Sequence, residues 1–199
     1  IKNVYKSLKE LPNLKKYLAS FFLYSVGVQT IMYMAPLFAE KELKLGLSKL
    51  ILTVLIIQLV AIPGSMLFAK LSELKGNIFS LITMVFIWIG ICLIAYFIQT
   101  DIQFYILSFL VGMVMGGIQA LSRATYSKLI PEDTIDHASY FSFYDVSYNV
   151  SIVVGTFAYG LVEHITGSMR NSALTLAVFF ILGIIVLSQV KIAKAKYAK

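Results

Sequence analysis

Cysteine, histidine and charge are all scarce in this chain. One cysteine, Cys92, and two histidines occur among its 199 residues, and charged residues make up 14% of the composition. A single cysteine excludes an internal disulfide. The sequence also has no zinc-ligand spacing, no phosphate-binding loop and no nucleophile with a matching base. It therefore predicts no enzyme activity, no cofactor and no metal site.

Apolar residues are abundant instead. They make up 59% of the chain, and the mean hydropathy is +0.83. A helix needs about 20 apolar residues to cross the roughly 30 Å of hydrocarbon in a bilayer. Windows of that kind lie at 17–39, 50–69, 78–99, 104–125, 138–162 and 173–190. The pattern predicts an all-α polytopic membrane protein with six transmembrane helices.

Basic residues indicate how these helices are oriented. The formal net charge is +7, and segments rich in Lys and Arg tend to face the cytoplasm. If the N-terminus is cytoplasmic, only four of the 17 basic residues lie outside: Lys41, Lys44, Lys49 and Arg170. We therefore expect both termini to be cytoplasmic, in the inner membrane if the source is bacterial. No basic stripe is interleaved with exposed aromatics, so nucleic acid is not an expected partner.

The chain divides into three predicted regions. Residues 1–16 have apolar positions at helical spacing with lysines between them, which is typical of an amphipathic helix on the cytoplasmic membrane surface. A solvated linker is the alternative. Residues 17–190 form the six-helix bundle, and residues 191–199 form a basic cytoplasmic tail. Because the first residue is Ile1 and not Met, we expect a piece of a longer polypeptide.

The six spans differ in polarity. The third and sixth are almost purely apolar and are expected at the periphery, whereas the other four carry polar side chains that can surround a polar pathway. The order polar, polar, apolar occurs twice, which favours two three-helix inverted repeats. The candidate pathway residues are Gln29, Tyr33, Gln58, Gln119, Arg123, Tyr144, Asp145, Tyr148 and Asn149.

Asp145 is the strongest of these candidates, because a charge inside a span costs roughly 3 kcal/mol or more. Arg123 ends the preceding span on the same side of the membrane. The two can form a structural ion pair, or Asp145 can bind a proton, a cation or a cationic group of a solute. Asp145 can also reach cytoplasmic water.

The glutamines and tyrosines leave two interpretations open. Gln29, Gln58 and Gln119 suit a neutral or zwitterionic solute, and they equally suit hydrogen bonds between helices. Tyr144 and Tyr148 can stack on a substrate or pack against other helices. Tyr17 is predicted to anchor the first span at the membrane interface.

Three late segments resemble one transporter family. The sequences GGIQALSR at 116–123 and LIP at 129–131 resemble the tenth helix of the vacuole-effluxer-like, or autophagy-related permease, branch of the major facilitator superfamily. FSFYDVS at 141–147 resembles the start of its eleventh helix, and TGS at 166–168 resembles the turn before its last helix. The resemblance implies the C-terminal six-helix bundle of a twelve-helix transporter.

The chain departs from this family at two sites. A Gly-Lys pair is usual where Tyr148 and Asn149 stand, and a Gly-Pro pair is usual at 155–156. The loop 69–76 is similar to a degenerate copy of the superfamily's loop motif. By that resemblance Glu73 is a candidate latch near the start of the eleventh helix, with Gly76 beside it, or else part of a solvated loop.

Small residues recur every four positions along the fourth span, including Gly116, with Gly117 beside it. This ridge allows another helix to approach closely. The contact can be static packing or a moving, gating contact.

Together these observations predict half of a secondary active transporter that moves a small solute by alternating access; the family resemblance implies that an amino-acid-like solute is one candidate. Its expected partners are the solute, a coupling proton or cation, the lipid bilayer and an N-terminal six-helix half of the same protein. The alternative is a non-transporting membrane scaffold or assembly subunit that keeps the transporter fold.

Overall fold

The structure is a computed structural model that describes residues 11–131, 134 and 136–191. These residues form six α-helices: α1 (Pro12–Leu43), α2 (Leu47–Lys75), α3 (Asn77–Phe97), α4 (Asp101–Leu129), α5 (His137–Thr166) and α6 (Met169–Leu187). The predicted all-α bundle is confirmed. Most of the predicted amphipathic segment and nearly all of the basic tail lie outside the described residues.

Five of these helices are long and apolar enough to cross a membrane, and α5 is not among them. Helix α5 has 30 residues, so it is about 45 Å long, and it packs along α1 and α6, which both qualify as spans. Its inward-facing tyrosines and its single aspartate lower its apolar content without shortening it. Polarity along α5 therefore marks a helix that lines something other than lipid.

The contacts of α1–α3 and of α4–α6 are equivalent, so that the set of contacting helix pairs stays the same when the two groups are exchanged. Helix α1 packs against α5 and α6, and α4 correspondingly packs against α2 and α3. Helices α1 and α4 contact each other, and so do α3 and α6. Replacing α1–α3 by α4–α6 leaves this pattern unchanged, which is what two three-helix repeats of opposite orientation produce.

The third and sixth helices lie in the core, contrary to the expectation that they are peripheral. Trp88 of α3 and Phe180 of α6 are fully buried, and their rings stack with centroids 5.9 Å apart. Helix α2 is the least covered of the five apolar spans, with only 17% of its most apolar 18 residues buried. An entirely apolar helix can face lipid on one side and the core on the other, so composition alone does not separate the two positions.

Glycine allows α2 and α4 to touch backbone to backbone. A Cβ added to Gly112 would lie 2.8 Å from the carbonyl oxygen of Ile57, and one added to Gly116 would lie 2.6 Å from that of Ala61. Gly64 of α2 meets the α4 backbone in the same way. Only residues without a side chain fit at such a crossing. In this arrangement the small-residue ridge of α4 is a packing seam.

The helix ends follow local capping signals. Thr100 and Gln103 form a capping box at the start of α4. The carboxylate of Asp136 accepts a hydrogen bond from the backbone N–H of Ser139 at the start of α5. Hydrogen bonding to Ser139 lowers the pKa of Asp136 below its usual value. Gly76 has φ +90°, a conformation that favours glycine, and it joins α2 to α3.

Candidate functional site

A cavity of about 760 Å³ lies between α1, α4 and α5. Its wall mixes aromatic rings, two amides and two opposite charges. The lining residues are Phe21, Tyr24, Ser25, Val28 and Gln29 of α1; Ile118, Gln119, Ala120, Ser122, Arg123, Ala124 and Ser127 of α4; and Phe141, Tyr144, Asp145 and Tyr148 of α5.

The cavity lies toward one end of the helical bundle. The lining stretches of α4 and α5, 118–127 and 141–148, lie near the ends that the charge pattern assigns to the cytoplasm. The lining stretch of α1, 21–29, runs from that side to about the middle of the helix. The cavity therefore extends from the predicted cytoplasmic side to the level of Gln29 and Tyr148.

Arg123 and Asp145 meet across this cavity. Nη2 of Arg123 donates to Oδ1 of Asp145 at 2.6 Å. The two side chains remain 58% and 54% exposed, so the ion pair is accessible from the cavity. Each charge has a partner and access to solvent, so the free-energy cost of placing the two charges within the bundle is reduced. Both charges also remain accessible from the cavity. Either charge is free to exchange its partner for a group of opposite sign.

Aromatic rings surround the guanidinium group. The guanidinium carbon of Arg123 lies 5.6 Å from the ring centre of Tyr144 and 5.9 Å from that of Phe141. Phe21 stacks on Tyr144 with centroids 4.1 Å apart, and Tyr126 lies 4.9 Å from the same ring. These contacts restrict where the guanidinium can move and give the cavity an apolar wall beside its charges.

Two tyrosines of α1 attach it to α4 beside the ion pair. The hydroxyl of Tyr17 donates to the backbone oxygen of Ser122 at 2.6 Å, and the hydroxyls of Tyr24 and Ser122 are 2.7 Å apart. Tyr17 is fully buried, so the prediction that it anchors the helix at the membrane interface is wrong. Its hydroxyl finds a partner on a neighbouring helix. The bonds fix the backbone immediately before Arg123.

Gln29 and Tyr148 close the end of the cavity nearest the middle of the membrane. The hydroxyl of Tyr148 donates to Oε1 of Gln29 at 2.9 Å. At the turn of α1 that carries Gln29, α1 and α5 are in close contact, because Gly155 lies against Thr30 and the backbone of Val26. The hydrogen bond and the glycine contact together separate the cavity from the outer half of the bundle.

Six of the nine predicted pathway residues line this one cavity, namely Gln29, Gln119, Arg123, Tyr144, Asp145 and Tyr148. The other three do not reach it. Tyr33 is 57% exposed, Gln58 lies on the exposed side of α2, and Asn149 is exposed with its amide donating to the backbone oxygen of Asp145. None of these three residues lines the cavity.

The structure does not support a latch between Glu73 and the start of α5. Glu73 is exposed and forms no hydrogen bond or ion pair within the described part of the chain, and Asp136 caps α5 instead. Asn77, the first residue of α3, makes the contact that sequence reasoning missed. Its amide donates to Thr125 of α4 at 3.0 Å, which holds the α2–α3 turn against the end of α4.

Gly116 and Gly117, the other predicted gating residues, lie at helix contacts. Gly116 belongs to the seam with α2, and a Cβ added to Gly117 would lie 2.9 Å from the side chain of Phe68 and 3.0 Å from Sδ of Met84. Both positions are tightly packed in this structure.

A second charged group lies at the opposite end of the bundle from the cavity, the outer end, which is the end that the charge pattern predicts to be outside. Glu42 of α1 accepts a hydrogen bond from the backbone N–H of Met169 at 3.0 Å and one from Nε of Arg170 at 3.1 Å. Arg170 also donates to the backbone oxygen of Tyr96 at 2.7 Å. Glu42 thus caps α6, and Arg170 connects it to the end of α3. In the residues that the structure describes, no three His, Cys, Asp or Glu side chains come together as a metal site.

Comparison with known proteins identifies the family. The chain is 32% identical over 184 residues to an uncharacterized MFS-type transporter, YxiO of Bacillus subtilis. The aligned residues make up 92% of this chain and 42% of that protein. It is 27% identical over 207 residues to Autophagy-related protein 22 of Cryptococcus neoformans, covering 96% and 36% respectively. Autophagy-related protein 22 of Yarrowia lipolytica is also 27% identical, over 187 residues.

The chain spans about two fifths of the length of these relatives. The family described as "Vacuole effluxer Atg22 like" matches residues 1–199, which is the whole chain. The B. subtilis relative is described as an MFS-type transporter and the family as a vacuole effluxer, and neither description is that of an enzyme. The apolar helices described above agree with an integral membrane protein. This chain belongs to the vacuole effluxer Atg22-like family.

Proposed function

We propose that this chain is one half of a secondary active transporter that moves a small, amino-acid-like solute through the cavity between α1, α4 and α5. The observation that carries the proposal is the Arg123–Asp145 ion pair, which is open to the cavity and bordered by aromatic rings. A solute with a carboxylate and an ammonium group supplies a partner for each member of this pair.

Exchange of partners gives such a site its mechanism. When the solute carboxylate binds Arg123 and its ammonium group binds Asp145, the charges stay paired while the bond between α4 and α5 is released. Without solute, a proton or cation that binds Asp145 also releases its bond to Arg123. Asp145 is therefore the candidate coupling residue. Binding is thereby linked to the relative positions of two helices.

Alternating access requires a second bundle on the other side of the cavity. The relatives are more than twice as long as the part that this chain matches, which leaves room in them for six further spans. We propose that an N-terminal six-helix half completes the pathway and that the two bundles rock about it. With both termini cytoplasmic, the cavity described here is open to the cytoplasm.

The relatives' family description also suggests a direction. "Vacuole effluxer" denotes export out of a vacuole toward the cytoplasm, and a cavity open on the cytoplasmic side is the state from which such a solute is released. For a bacterial member the corresponding membrane is the inner membrane.

The proposal is tested by solute flux through the full-length protein in proteoliposomes. Counterflow of radiolabelled L-leucine and L-lysine is measured for the wild type, for Asp145→Asn and for Arg123→Gln. We expect both variants to lose about tenfold or more of the flux, because each leaves one charge of the pair unmatched. Gln58→Leu, on the exposed side of α2, serves as the matched control and keeps wild-type flux.

Two results contradict the proposal. Unchanged flux in Asp145→Asn removes this residue from the transport mechanism. Absence of any solute movement by folded, inserted wild-type protein favours the alternative function, a membrane scaffold that retains the transporter fold. Size-exclusion profiles of each purified variant separate loss of flux from loss of folding.

A further inference from the structure

We infer that Gln29 is a specificity-determining residue, whose free amide N–H groups select solutes that carry a hydrogen-bond acceptor in their side chain. The inference rests on the proposed transport function and adds a chemical requirement on the solute. Gln29 lines the cavity at the level where it ends near the middle of the membrane.

The hydrogen bonds of Gln29 are satisfied on one side only. The side-chain oxygen Oε1 accepts from the hydroxyl of Tyr148 at 2.9 Å. Nε2 has no hydrogen-bond partner within the described residues, although Gln29 is only 5% exposed. Nε2 is not one of the fully buried polar atoms, so it keeps some contact with solvent. The amide therefore presents two donors to the cavity.

In this structure Tyr148 holds the oxygen end of the Gln29 amide. A hydroxyl that donates to Oε1 holds the oxygen against α5, so the NH₂ group must point elsewhere. Without this bond the amide can rotate and present either a donor or an acceptor. Tyr148 is accordingly a positioning residue, and Gln29 is the group that contacts the solute.

The backbone that carries Gln29 is also held in place. The hydroxyl of the next residue, Thr30, donates to the backbone oxygen of Val26 at 2.6 Å. Gly155 of α5 packs against the same turn, where an added Cβ would lie 2.6 Å from that oxygen. A hydrogen-bond donor that is held in place discriminates more strongly between correctly and incorrectly placed acceptors than a flexible donor does.

The distance to the ion pair sets the size of the solute. Tyr148 follows Asp145 by three residues on α5, so the two levels differ by about 4.5 Å along the helix. A solute whose charged groups occupy Arg123 and Asp145 then places its other end beside Gln29. An oxygen there pairs with the free N–H groups, whereas a methylene leaves them without a partner in a confined space.

Two probes of equal shape test this requirement in the full-length protein. The side chains of O-methyl-L-serine and L-norvaline have the same length and differ only by an ether oxygen, which accepts hydrogen bonds but donates none. Counterflow of each is measured in proteoliposomes. We expect the wild type to favour O-methyl-L-serine by about fivefold, the ratio that corresponds to one net hydrogen bond.

The variants make the prediction specific. Gln29→Leu should bring the ratio to about one while norvaline flux persists, because only the donor is lost. Tyr148→Phe should lower the ratio in part, since the amide is kept but no longer oriented. Gln29→Met repeats the test with a flexible side chain if the leucine variant does not fold. Gln58→Leu, outside the cavity, should keep the wild-type ratio.

The outcomes separate the two proposals. A wild-type ratio near one, or a ratio that survives in both Gln29→Leu and Gln29→Met, overturns the selectivity inference and leaves transport standing. A folded wild type that moves neither probe, nor leucine nor lysine, overturns the transport function and with it the inference.

Discussion

The outer and inner halves of the bundle are held together in different ways. At the outer end, Glu42 and Arg170 join α1, α3 and α6 through hydrogen bonds of charged groups, and Lys41 contacts Glu163 at 3.0 Å. A further pair, between the start of α2 and the start of α4, ties the second repeat to the first. The outer ends of all six helices are thus linked by side-chain charges.

The inner half contains the cavity, whereas in the outer half charged side chains connect the helices. Among the described residues, the ion pair of this half, Arg123–Asp145, crosses the cavity. Its other attachments include the Asn77–Thr125 bond and tyrosine hydroxyls such as that of Tyr126, which donates to a backbone oxygen of α5 at 2.8 Å. Charge is used on the outer side to hold helices together and on the inner side to remain accessible. The same residue types therefore hold helices together at one end and are exposed to solvent at the other.

The largest effect on both halves is expected from the α2–α4 seam. A methyl group at Gly116 would lie 2.6 Å from the carbonyl oxygen of Ala61, and backbone cannot move as a flexible side chain does. Gly116→Ala should destabilise the folded bundle by about 1–3 kcal/mol. The measurement is thermal unfolding of the detergent-solubilised protein. Gly160→Ala, with nothing within 4 Å of the new atom, is the matched control; equal melting temperatures for both variants would contradict the seam.

An effect of similar size, but confined to the outer half, is expected at Glu42. Its carboxylate and the Arg170 guanidinium are only 22% and 21% exposed, so Glu42→Gln should cost about 1–3 kcal/mol of unfolding free energy. Lys41→Gln removes a side chain that is 53% exposed and should cost less than about 1 kcal/mol. Denaturant unfolding of both variants, with Arg170→Gln to complete a double-mutant cycle, measures the difference. The comparison fails if Lys41→Gln is the more damaging change.

The smallest effect is expected at the inner end of α5, as a dependence on pH. Because bonding to Ser139 lowers the pKa of Asp136, its cap stabilises the helix fully above the ordinary carboxyl pKa of 3.8 and is lost as the pH falls through the lower, folded value. Melting temperatures from neutral pH to about pH 3 should therefore fall slightly more for the wild type than for Asp136→Asn, which caps without titrating. If the melting temperatures of the two proteins fall equally with pH, titration of Asp136 does not contribute to the stability of α5.

Much of the fold follows from local sequence. Apolar windows, a capping box and a positive-φ glycine each depend on neighbouring residues, so the helices lie where the sequence predicts them. The Arg123–Asp145 pair was also predictable, because a short connection brings the end of α4 close to the start of α5.

The rest depends on how each helix is rotated about its axis. Gln29 and Gln58 are both amides within apolar spans, yet one lines the cavity and the other is exposed. Periodicity within one helix does not indicate which neighbour its polar side faces. Glu42 and Arg170 are separated by 128 positions, so their pairing becomes visible only once α1 and α6 are packed together.

The uncovered, apolar surface of α2 has a consequence for how the protein is made. Helix α2 leaves the ribosome before α4, the helix it packs against most extensively, so during synthesis it must reside in lipid without its partner. A helix with no charged residue between positions 50 and 69 tolerates that interval. Helix α5, with its aspartate and tyrosines, is synthesised only after its partner α1 is already in the membrane. The order of the helices along the chain thus lets the least apolar helix insert beside a surface that can accept its polar groups.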